Sequence, residues 1–340
     1  MDTMKALITA PFHESGFTIL QKYMDIIYES WKETGELYRD SKDYVEKIIK
    51  EKADILITEG DLIDEDVLDS CDIKIIGVCR SFPDNVDMEL ATKKKIPVFF
   101  TPDRNVEAVA DLTVALMLSQ LRHLTKIDRL LKSGNFFVDT GEDLAFLYRR
   151  FRGWELGGKT VGIVGLGAVG FRVARRLRFG FNCEVLVYDP YVDQKKVDEV
   201  QGKRVELEPL LKDSDMVTLH AKLTDETVDM IGKKEIALMK PTAYFFNTAR
   251  VALVDEDALY DALKDNKITG AGLDVFGIEP VDSDNRFLEL DNVTVTPHAG
   301  GSTFDSEIRQ SLMIANDIES YLLNKKPEFL KNPEILERGR

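Results

Sequence analysis

The chain has 340 residues, of which 44% are hydrophobic and 31% are charged, and its formal net charge is -15. This length allows two domains with substantial cores, and the hydrophobic content is too high for a disordered chain. The 60 acidic residues outnumber the 45 basic ones, which argues against general binding to nucleic acid or to acidic membranes. Any anionic ligand would therefore have to be bound by a few local cations.

Features that report on the compartment favour the cytoplasm. The three cysteines, Cys71, Cys79 and Cys183, show no metal-ligand spacing and no even number for pairing, so we expect a reducing compartment and no metal. The N-terminal stretch MDTMKALITAPF lacks a basic region followed by a long apolar run, and no apolar run is long enough to span a bilayer. We therefore expect a cytoplasmic protein without a signal peptide or a membrane segment.

Short β-branched runs alternate with helical patterns along most of the chain. The first series of strand candidates is KALIT, ADILIT, IKIIGV and IPVFFT. A second series begins at Lys159 and comprises KTVGIVG, EVLVYD, MVTLHA, AYFFNT, AGLDVF and VTVTPH. Strands that alternate with helices predict parallel sheets covered by helices on both faces. The expected fold class is α/β, with two doubly wound parallel-sheet domains of the Rossmann or flavodoxin-like type.

A long apolar pattern separates the two series. Residues 106–134 predict a single helix that ends at Ser133-Gly134 and is apolar over much of its circumference. Such a helix would suit burial between domains or in the interface of a homodimer, and the sequence leaves both open. The next residues, 135–158, have weak periodicity and predict a loop-rich segment.

One more helical pattern, SEIRQSLMIANDIESYLL, follows the second series. A helix in that position can return to pack on the first domain, which would make that domain discontinuous. The predicted domains are therefore 1–104 completed by 299–340, and 105–298.

The segment GIVGLGAVGFRVARRLRFG contains a G-x-G-x-x-G pattern at Gly165, Gly167 and Gly170, between a predicted strand and a predicted helix. Glycine lets the backbone approach a pyrophosphate, and the helix N-terminus offers free N–H groups and the positive end of the helix dipole. The next strand ends at Asp189, where a carboxylate can accept hydrogen bonds from an adenosine ribose and repel a 2′-phosphate. These features predict NAD rather than NADP. The alternative to a cofactor site is a tight strand–helix turn followed by a solvated acid.

The motifs GLGAVG, YDP, LHAKLTDET, LMKPTAYFFNTAR, GLDVFGIEP and PHAGGST occur in this order. Together they resemble the D-isomer-specific 2-hydroxyacid dehydrogenase family, which includes phosphoglycerate, glycerate and D-lactate dehydrogenases. The similarity extends over nearly the whole chain and is strongest from Asn105 to Ser302. It implies that residues 105–298 bind NAD and that the first domain binds the substrate.

The resemblance also implies three groups of site residues. The implied catalytic triad is Arg250, Glu279 and His298. The expected cofactor contacts are Gly165, Gly167, Ala168, Val169, Gly170, Asp189, His220, Thr248, Ala249, Asp274 and Gly300. The expected substrate contacts are Arg80, Ser81, Phe82, Asn105 and Arg250.

The triad suits the reduction of a 2-keto acid on chemical grounds alone. The guanidinium of Arg250 offers a planar pair of donors to the substrate carboxylate and can polarise the keto group. His298 can give a proton to the forming alkoxide, or remove one in the oxidation direction. A hydrogen bond from Glu279 to the other ring nitrogen would orient the imidazole and favour its charged form. Taken singly, Arg250 could be a surface cation, Glu279 a solvated loop acid and His298 the cap of a strand.

Two positions depart from the family pattern. Val251 follows the expected catalytic arginine, where relatives commonly have glycine. In the expected substrate loop, CRSFPDNVD at 79–87, Ser81-Phe82 stand where relatives usually have glycine-rich sequence. We expect Arg80 and Phe82 to shape the pocket, with Arg80 contacting the substrate carboxylate or a distal phosphate.

The sequence leaves the substrate and the direction of the reaction open. The substrate is expected to be a small D-2-hydroxy acid, either phosphoglycerate-like or another sugar acid. The protein is expected to lack the C-terminal regulatory domain that some phosphoglycerate dehydrogenases carry. Formate dehydrogenases of this family carry Gln where Glu279 stands, which argues against formate. The alternative from another class is a non-catalytic, NAD-responsive binding protein of the corepressor type. The dehydrogenase is expected to be a homodimer.

Overall fold

In the computed structural model, which describes residues 3–134 and 136–337, the chain divides into two compact units. The first unit comprises Met1–Asn105 and Ser302–Arg340, and the second comprises Val106–Gly301. Each unit contains one parallel sheet with helices, which confirms the predicted α/β fold class with two parallel-sheet domains.

The first unit has a five-stranded sheet in the order β2-β1-β3-β4-β5. Its strands are β1 (Met4–Ile8), β2 (Met24–Tyr28), β3 (Ile55–Thr58), β4 (Ile75–Val78) and β5 (Val98–Phe100). The helices between them are α1 (Glu14–Leu20), α2 (Trp31–Thr34), α3 (Ser41–Glu51), α4 (Glu65–Ser70) and α5 (Met88–Lys93). Every residue of β3 and β4 is buried, as expected for strands covered on both faces.

The second unit has a seven-stranded sheet in the order β12-β11-β10-β9-β6-β7-β8. Its strands are β6 (Thr160–Val164), β7 (Glu184–Tyr188), β8 (Lys203–Arg204), β9 (Met216–Leu219), β10 (Tyr244–Asn247), β11 (Gly270–Leu273) and β12 (Val293–Val295). Its α-helices are α6 (Val106–Arg122), α7 (Leu124–Lys132), α8 (Gly141–Arg150), α9 (Ala168–Arg175), α10 (Gln194–Glu199), α11 (Leu207–Asp213), α12 (Lys233–Ile236) and α13 (Glu256–Lys264). A π-helical turn, Arg176–Gly180, extends α9, and 3-10 turns lie at Val251–Leu253 and Arg286–Glu289.

The chain then returns to the first unit through α14 (Phe304–Leu322) and a short α15 (Glu334–Glu337). Ile314 and Ile318 of α14 are fully buried in a core that also contains Ile8 of β1 and Ile57 of β3. The helix lies close against β4, because a Cβ added at Gly77 would come within 2.9 Å of a methyl of Ile314. The first unit therefore needs this segment to complete its core.

Two predictions for the region between the series are wrong. The predicted helix 106–134 is interrupted at His123, whose φ of 54° is left-handed, so that α6 and α7 are separate helices. The segment predicted to be loop-rich contains α8, which begins at a capping box formed by Thr140 and Asp143. Within the residues that the structure describes, no helix is both long and apolar enough to cross a membrane.

Candidate active site

The three residues expected to be catalytic lie beyond the carboxyl ends of adjacent strands of the second unit. Arg250 follows β10, Glu279 follows β11 and His298 follows β12, and these strands are neighbours in the parallel sheet. Ligands of open parallel sheets gather at this edge. The topology therefore brings together segments that are far apart in the sequence.

His298 and Glu279 form a hydrogen-bonded pair. The distance from Nδ1 of His298 to Oε2 of Glu279 is 2.7 Å, and the other carboxylate oxygen accepts a hydrogen bond from the backbone N–H of Phe276 at 3.1 Å. The histidine side chain is 49% exposed and the glutamate side chain 35% exposed, so a small molecule can reach them. With Nδ1 engaged, Nε2 is the ring nitrogen that remains for a substrate.

The loop that carries His298 is held by Asp274, the residue directly after β11. Asp274 is 1% exposed, and its carboxylate accepts hydrogen bonds from the hydroxyl of Thr296 at 2.6 Å and from the N–H groups of Ala299 and Gly300 at 2.7 and 2.9 Å. Its backbone carbonyl accepts the N–H of His298. These contacts stabilise the left-handed backbone of His298, whose φ is 54°.

The turn that carries Arg250 is held by Asn247, which sequence reasoning did not identify. The buried side-chain amide of Asn247 donates to the carbonyl of Arg250 at 2.9 Å and accepts the N–H of Ala249 at 3.0 Å. Thr248 is also buried, and its hydroxyl lies 2.8 Å from that of Thr113 on α6. Arg250 itself is exposed, and one guanidinium nitrogen donates to the carbonyl of Ala249 at 2.7 Å.

The glycine loop has the tight geometry that its pattern predicts. Gly165 has a φ of 92°, and a Cβ added there would lie 2.6 Å from the backbone nitrogen of Ala221. A Cβ at Gly170 would lie 2.1 Å from the carbonyl oxygen of Gly165, so the first turn of α9 packs directly on the loop. Gly167 is different, because a Cβ there would meet nothing within 4 Å. The space beside its Cα is therefore open, which suits the close approach of a ligand.

The remaining residues predicted at the cofactor site surround this loop. Ala168 and Val169 form the first turn of α9, whose N-cap lacks a side-chain hydrogen bond. The Asp189 carboxylate accepts the N–H groups of Leu166 and Tyr191 at 2.9 and 3.0 Å, which fixes it beside the loop.

His220 also lies against the glycine loop, since its Cβ is 3.2 Å from the position of a Cβ at Gly170. Its Nε2 is 3.0 Å from the hydroxyl of Thr218. Burial lowers the pKa of the His220 ring to about 3. The ring is therefore neutral across the physiological pH range, and His220 is unsuited to act as a proton donor.

The residues predicted to contact the substrate from the first unit follow β4 and β5. Arg80, Ser81 and Phe82 begin the loop after β4, where Phe82 is 59% exposed and Arg80 lies 3.4 Å from Asp84. Asn105 is the last residue of the first unit before α6. These positions lie at the carboxyl edge of the sheet of the first unit.

A glycine loop at the start of a Rossmann-type helix, with a histidine–carboxylate pair at the same sheet edge, is typical of dinucleotide-dependent oxidoreductases. Residues 114–300 match the family model described as D-isomer specific 2-hydroxyacid dehydrogenase, NAD binding domain. The chain belongs to this family and is an NAD-dependent oxidoreductase of 2-hydroxy acids.

Individual relatives agree with this assignment. The chain is 40% identical over 308 residues to a putative 2-hydroxyacid dehydrogenase, YoaD, of Bacillus subtilis, which covers 90% of this chain and 87% of the relative. It is 36% identical to a glyoxylate reductase of Pyrococcus furiosus, over 98% of this chain and 96% of that protein. A solved structure of a putative D-isomer specific 2-hydroxyacid dehydrogenase from Polaromonas matches with a TM-score of 0.85 at 25% identity, covering 97% of this chain and 99% of the other.

The glycine loop of this chain fits NAD. Open space at Gly167, free N–H groups at the start of α9 and a fixed carboxylate at Asp189 match the pyrophosphate and ribose of a dinucleotide. These residues would hold the cofactor, which supplies or accepts a hydride when bound.

We predict that Gly170→Ala weakens NADH binding about tenfold or more, because the added methyl must displace the carbonyl of Gly165. Titration of NADH fluorescence would measure this change in Kd. Gly180→Ala is the matched control, since a Cβ at Gly180 meets nothing within 4 Å. An unchanged Kd in Gly170→Ala would show that the loop adjusts freely and that its shape does not govern binding.

Proposed function

We propose that this protein interconverts a small D-2-hydroxy acid and its 2-keto acid, with His298 as the acid–base group, Glu279 as its orienting partner and Arg250 as the carboxylate-binding residue. The observation that carries the proposal is the 2.7 Å hydrogen bond between His298 and Glu279 beyond the carboxyl ends of β11 and β12. Paired in this way, the ring is oriented by Glu279 through Nδ1, which leaves Nε2 to exchange a proton with the substrate.

The chain's own groups account for each requirement of the reaction. In the direction of reduction, His298 donates a proton from Nε2 to the oxygen of the substrate as the hydride reaches C2. Arg250 holds the substrate carboxylate with two parallel hydrogen bonds, after its guanidinium leaves the carbonyl of Ala249. We expect Asp274 to act from inside the protein, by fixing the loop of His298, because its carboxylate already accepts three hydrogen bonds.

Roles at the cofactor follow from the same geometry. We expect the N–H groups of Gly167, Ala168 and Val169 to meet the pyrophosphate, and Asp189 to accept hydrogen bonds from the ribose. Neutral His220 is expected to line the pocket without exchanging protons. Thr248, Ala249 and Gly300 complete the expected contacts.

The reaction can be tested by NADH oxidation with glyoxylate, hydroxypyruvate, pyruvate, 2-oxobutyrate, 2-oxoglutarate and phosphohydroxypyruvate. For the best substrate, His298→Asn is expected to lower kcat about 100- to 10,000-fold, because the proton donor is lost while the cofactor site is intact. Glu279→Gln is expected to give a smaller loss, since the amide can orient the ring but carries no charge.

Glu289→Gln, at an exposed position of the 3-10 turn Arg286–Glu289, is the matched control and should keep the wild-type kcat. Normal NADH binding by all three variants would show that the losses concern proton transfer. A His298→Asn enzyme with wild-type kcat would contradict the assignment. NADH binding with no turnover of any acid would instead favour the corepressor-type alternative.

The substrate-binding role is proposed for Arg80, Ser81, Phe82 and Asn105. In an acidic chain, an exposed arginine beyond a parallel strand is a suitable local cation for an anionic substrate. Phe82, whose ring is largely exposed, would limit the size of the substrate side chain.

We expect Arg80→Ala to raise KM about fivefold or more, the loss expected of one exposed charge-assisted hydrogen bond, with a smaller effect on kcat. The panel of acids would show whether the loss is greatest for phosphohydroxypyruvate, which would point to a distal phosphate. Arg39→Ala, at an exposed position before α3, serves as the control. An unchanged KM for every acid would exclude Arg80 from substrate binding.

A homodimer is proposed from the surface of α7 and α8. No residue of either helix is fully buried, although α7 is strongly amphipathic. Large apolar side chains are exposed along this part of the chain, among them Leu124, Leu131, Phe137, Leu144, Tyr148 and Trp154. Several exposed large apolar side chains on one segment favour a protein–protein interface, and a second copy of the chain is the partner proposed here.

The double variant Leu124→Asp/Leu131→Asp is expected to be monomeric at micromolar concentration, because burying two carboxylates in an apolar interface is costly. Light scattering coupled to size-exclusion chromatography would give the molar mass. Leu288→Asp, at another exposed leucine of the same unit, should stay dimeric. A monomeric wild-type protein, or a dimeric double variant, would reject this interface.

A further inference from the structure

The segment after α14 forms an antiparallel bridge with β5, at the edge of the first sheet. Leu330 pairs with Phe99 of β5, the N–H of Phe100 donates to the carbonyl of Phe329 at 3.2 Å, and the N–H of Lys331 donates to the carbonyl of Val98 at 2.8 Å. This segment, residues 328–332, is called the edge segment below. It covers the outer side of β5.

Two buried polar residues fix the edge segment in place. The carboxylate of Asp317 on α14 accepts the N–H groups of Glu328 and Phe329 at 2.7 and 2.9 Å. Asn332 is 1% exposed; its side chain accepts the N–H of Val98 at 3.1 Å and donates to the carbonyl of Ile96 at 2.8 Å. The backbone of Lys331, between these anchors, therefore has a defined position.

The side chain of Lys331 reaches the proposed substrate loop. Its ammonium lies 5.4 Å from the ring centre of Phe100, the last residue of β5, and 6.0 Å from the ring centre of Phe82. Both distances are within the range of a cation–π contact. Within the described residues, Lys331 forms no ion pair with a carboxylate.

Hydrogen bonds anchor the loop 79–87 at its two ends. At the first end, the carbonyl of Arg80 accepts the N–H of Thr101 at 2.9 Å. At the second end, the carbonyl of Asn85 accepts the N–H of Ile63 at 2.8 Å, and its side chain donates to the carbonyl of Asp61 at 2.8 Å. Phe82 lies between these anchors, where the contact with Lys331 adds a point of attachment within the loop.

We propose that Lys331 is a positioning residue for the substrate: its ammonium holds the ring of Phe82 and so sets the conformation of the loop that selects the acid. This inference rests on the proposed substrate role of the loop. It gives the edge segment a role beyond covering β5, because a change at residue 331 would alter substrate binding through Phe82.

The test combines Lys331→Met, Lys331→Arg, Phe82→Leu and the double variant Lys331→Met/Phe82→Leu. Lys331→Met keeps the length of the side chain without its charge and is expected to raise the KM of the best 2-keto acid about two- to fivefold, as for an exposed cation–π contact, with kcat changed by less. Lys331→Arg should keep the wild-type KM, because a guanidinium also binds an aromatic face. Lys326→Met, on the exposed stretch before the edge segment, is the matched control.

The double variant distinguishes positioning from direct contact with the substrate. If Lys331 acts through Phe82, Lys331→Met has no further effect in the Phe82→Leu background. The proposal would be overturned if Lys331→Met raised KM equally in both backgrounds, or if Lys331→Arg raised KM as much as Lys331→Met does. If Phe82→Leu alone leaves KM unchanged for every acid, both the substrate role of Phe82 and the inference built on it are rejected.

A readout without turnover is hydrogen–deuterium exchange of peptides that cover residues 79–87. Lys331→Met should increase the exchange rate in this loop about two- to fivefold, while Lys331→Arg and Lys326→Met should keep the wild-type rate. Unchanged exchange in Lys331→Met would overturn the proposal even if no substrate of the enzyme is found.

Discussion

The candidate site depends on the buried carboxylate of Asp274. A carboxylate that is almost fully removed from water is stable only if donors surround it, and here a hydroxyl and two backbone N–H groups do so. Two of the three donors belong to Ala299 and Gly300, the residues directly after His298. The cost of burying the charge is therefore offset by contacts that also determine the position of His298.

The parallel order of the strands extends this constraint to the whole site. Because β10, β11 and β12 are neighbours and run in the same direction, the turns after them share one edge of the sheet. Asn247 holds the first turn and Asp274 connects the second turn to the third. The exposed groups, Arg250, Glu279 and His298, therefore stand on backbone that buried polar residues have already fixed.

Much of this arrangement could be predicted, since buried parallel strands appear as apolar runs and the glycine pattern stands between a strand and a helix. The family motifs supplied the pairing of Glu279 with His298, which spacing alone could not give. The break at His123 was missed because it is a backbone change within a continuous apolar pattern. The start of α8 at Thr140 had a signal, a threonine followed three residues later by an acid. Asn247 bonds to the backbone of Ala249 and Arg250, and Thr296 bonds to the carboxylate of Asp274, which is 22 residues away. Neither contact is marked by an apolar period or a turn motif.

The return of α14 to the first sheet has a consequence for synthesis on the ribosome. The second unit has all of its residues once Gly301 has left the exit tunnel, so it can fold before α14 has emerged. The first unit, although translated earlier, exposes the groove around Gly77 until Ile314 arrives. During this interval the uncovered face of its sheet would be a target for chaperones, and the second unit can complete its core before the first.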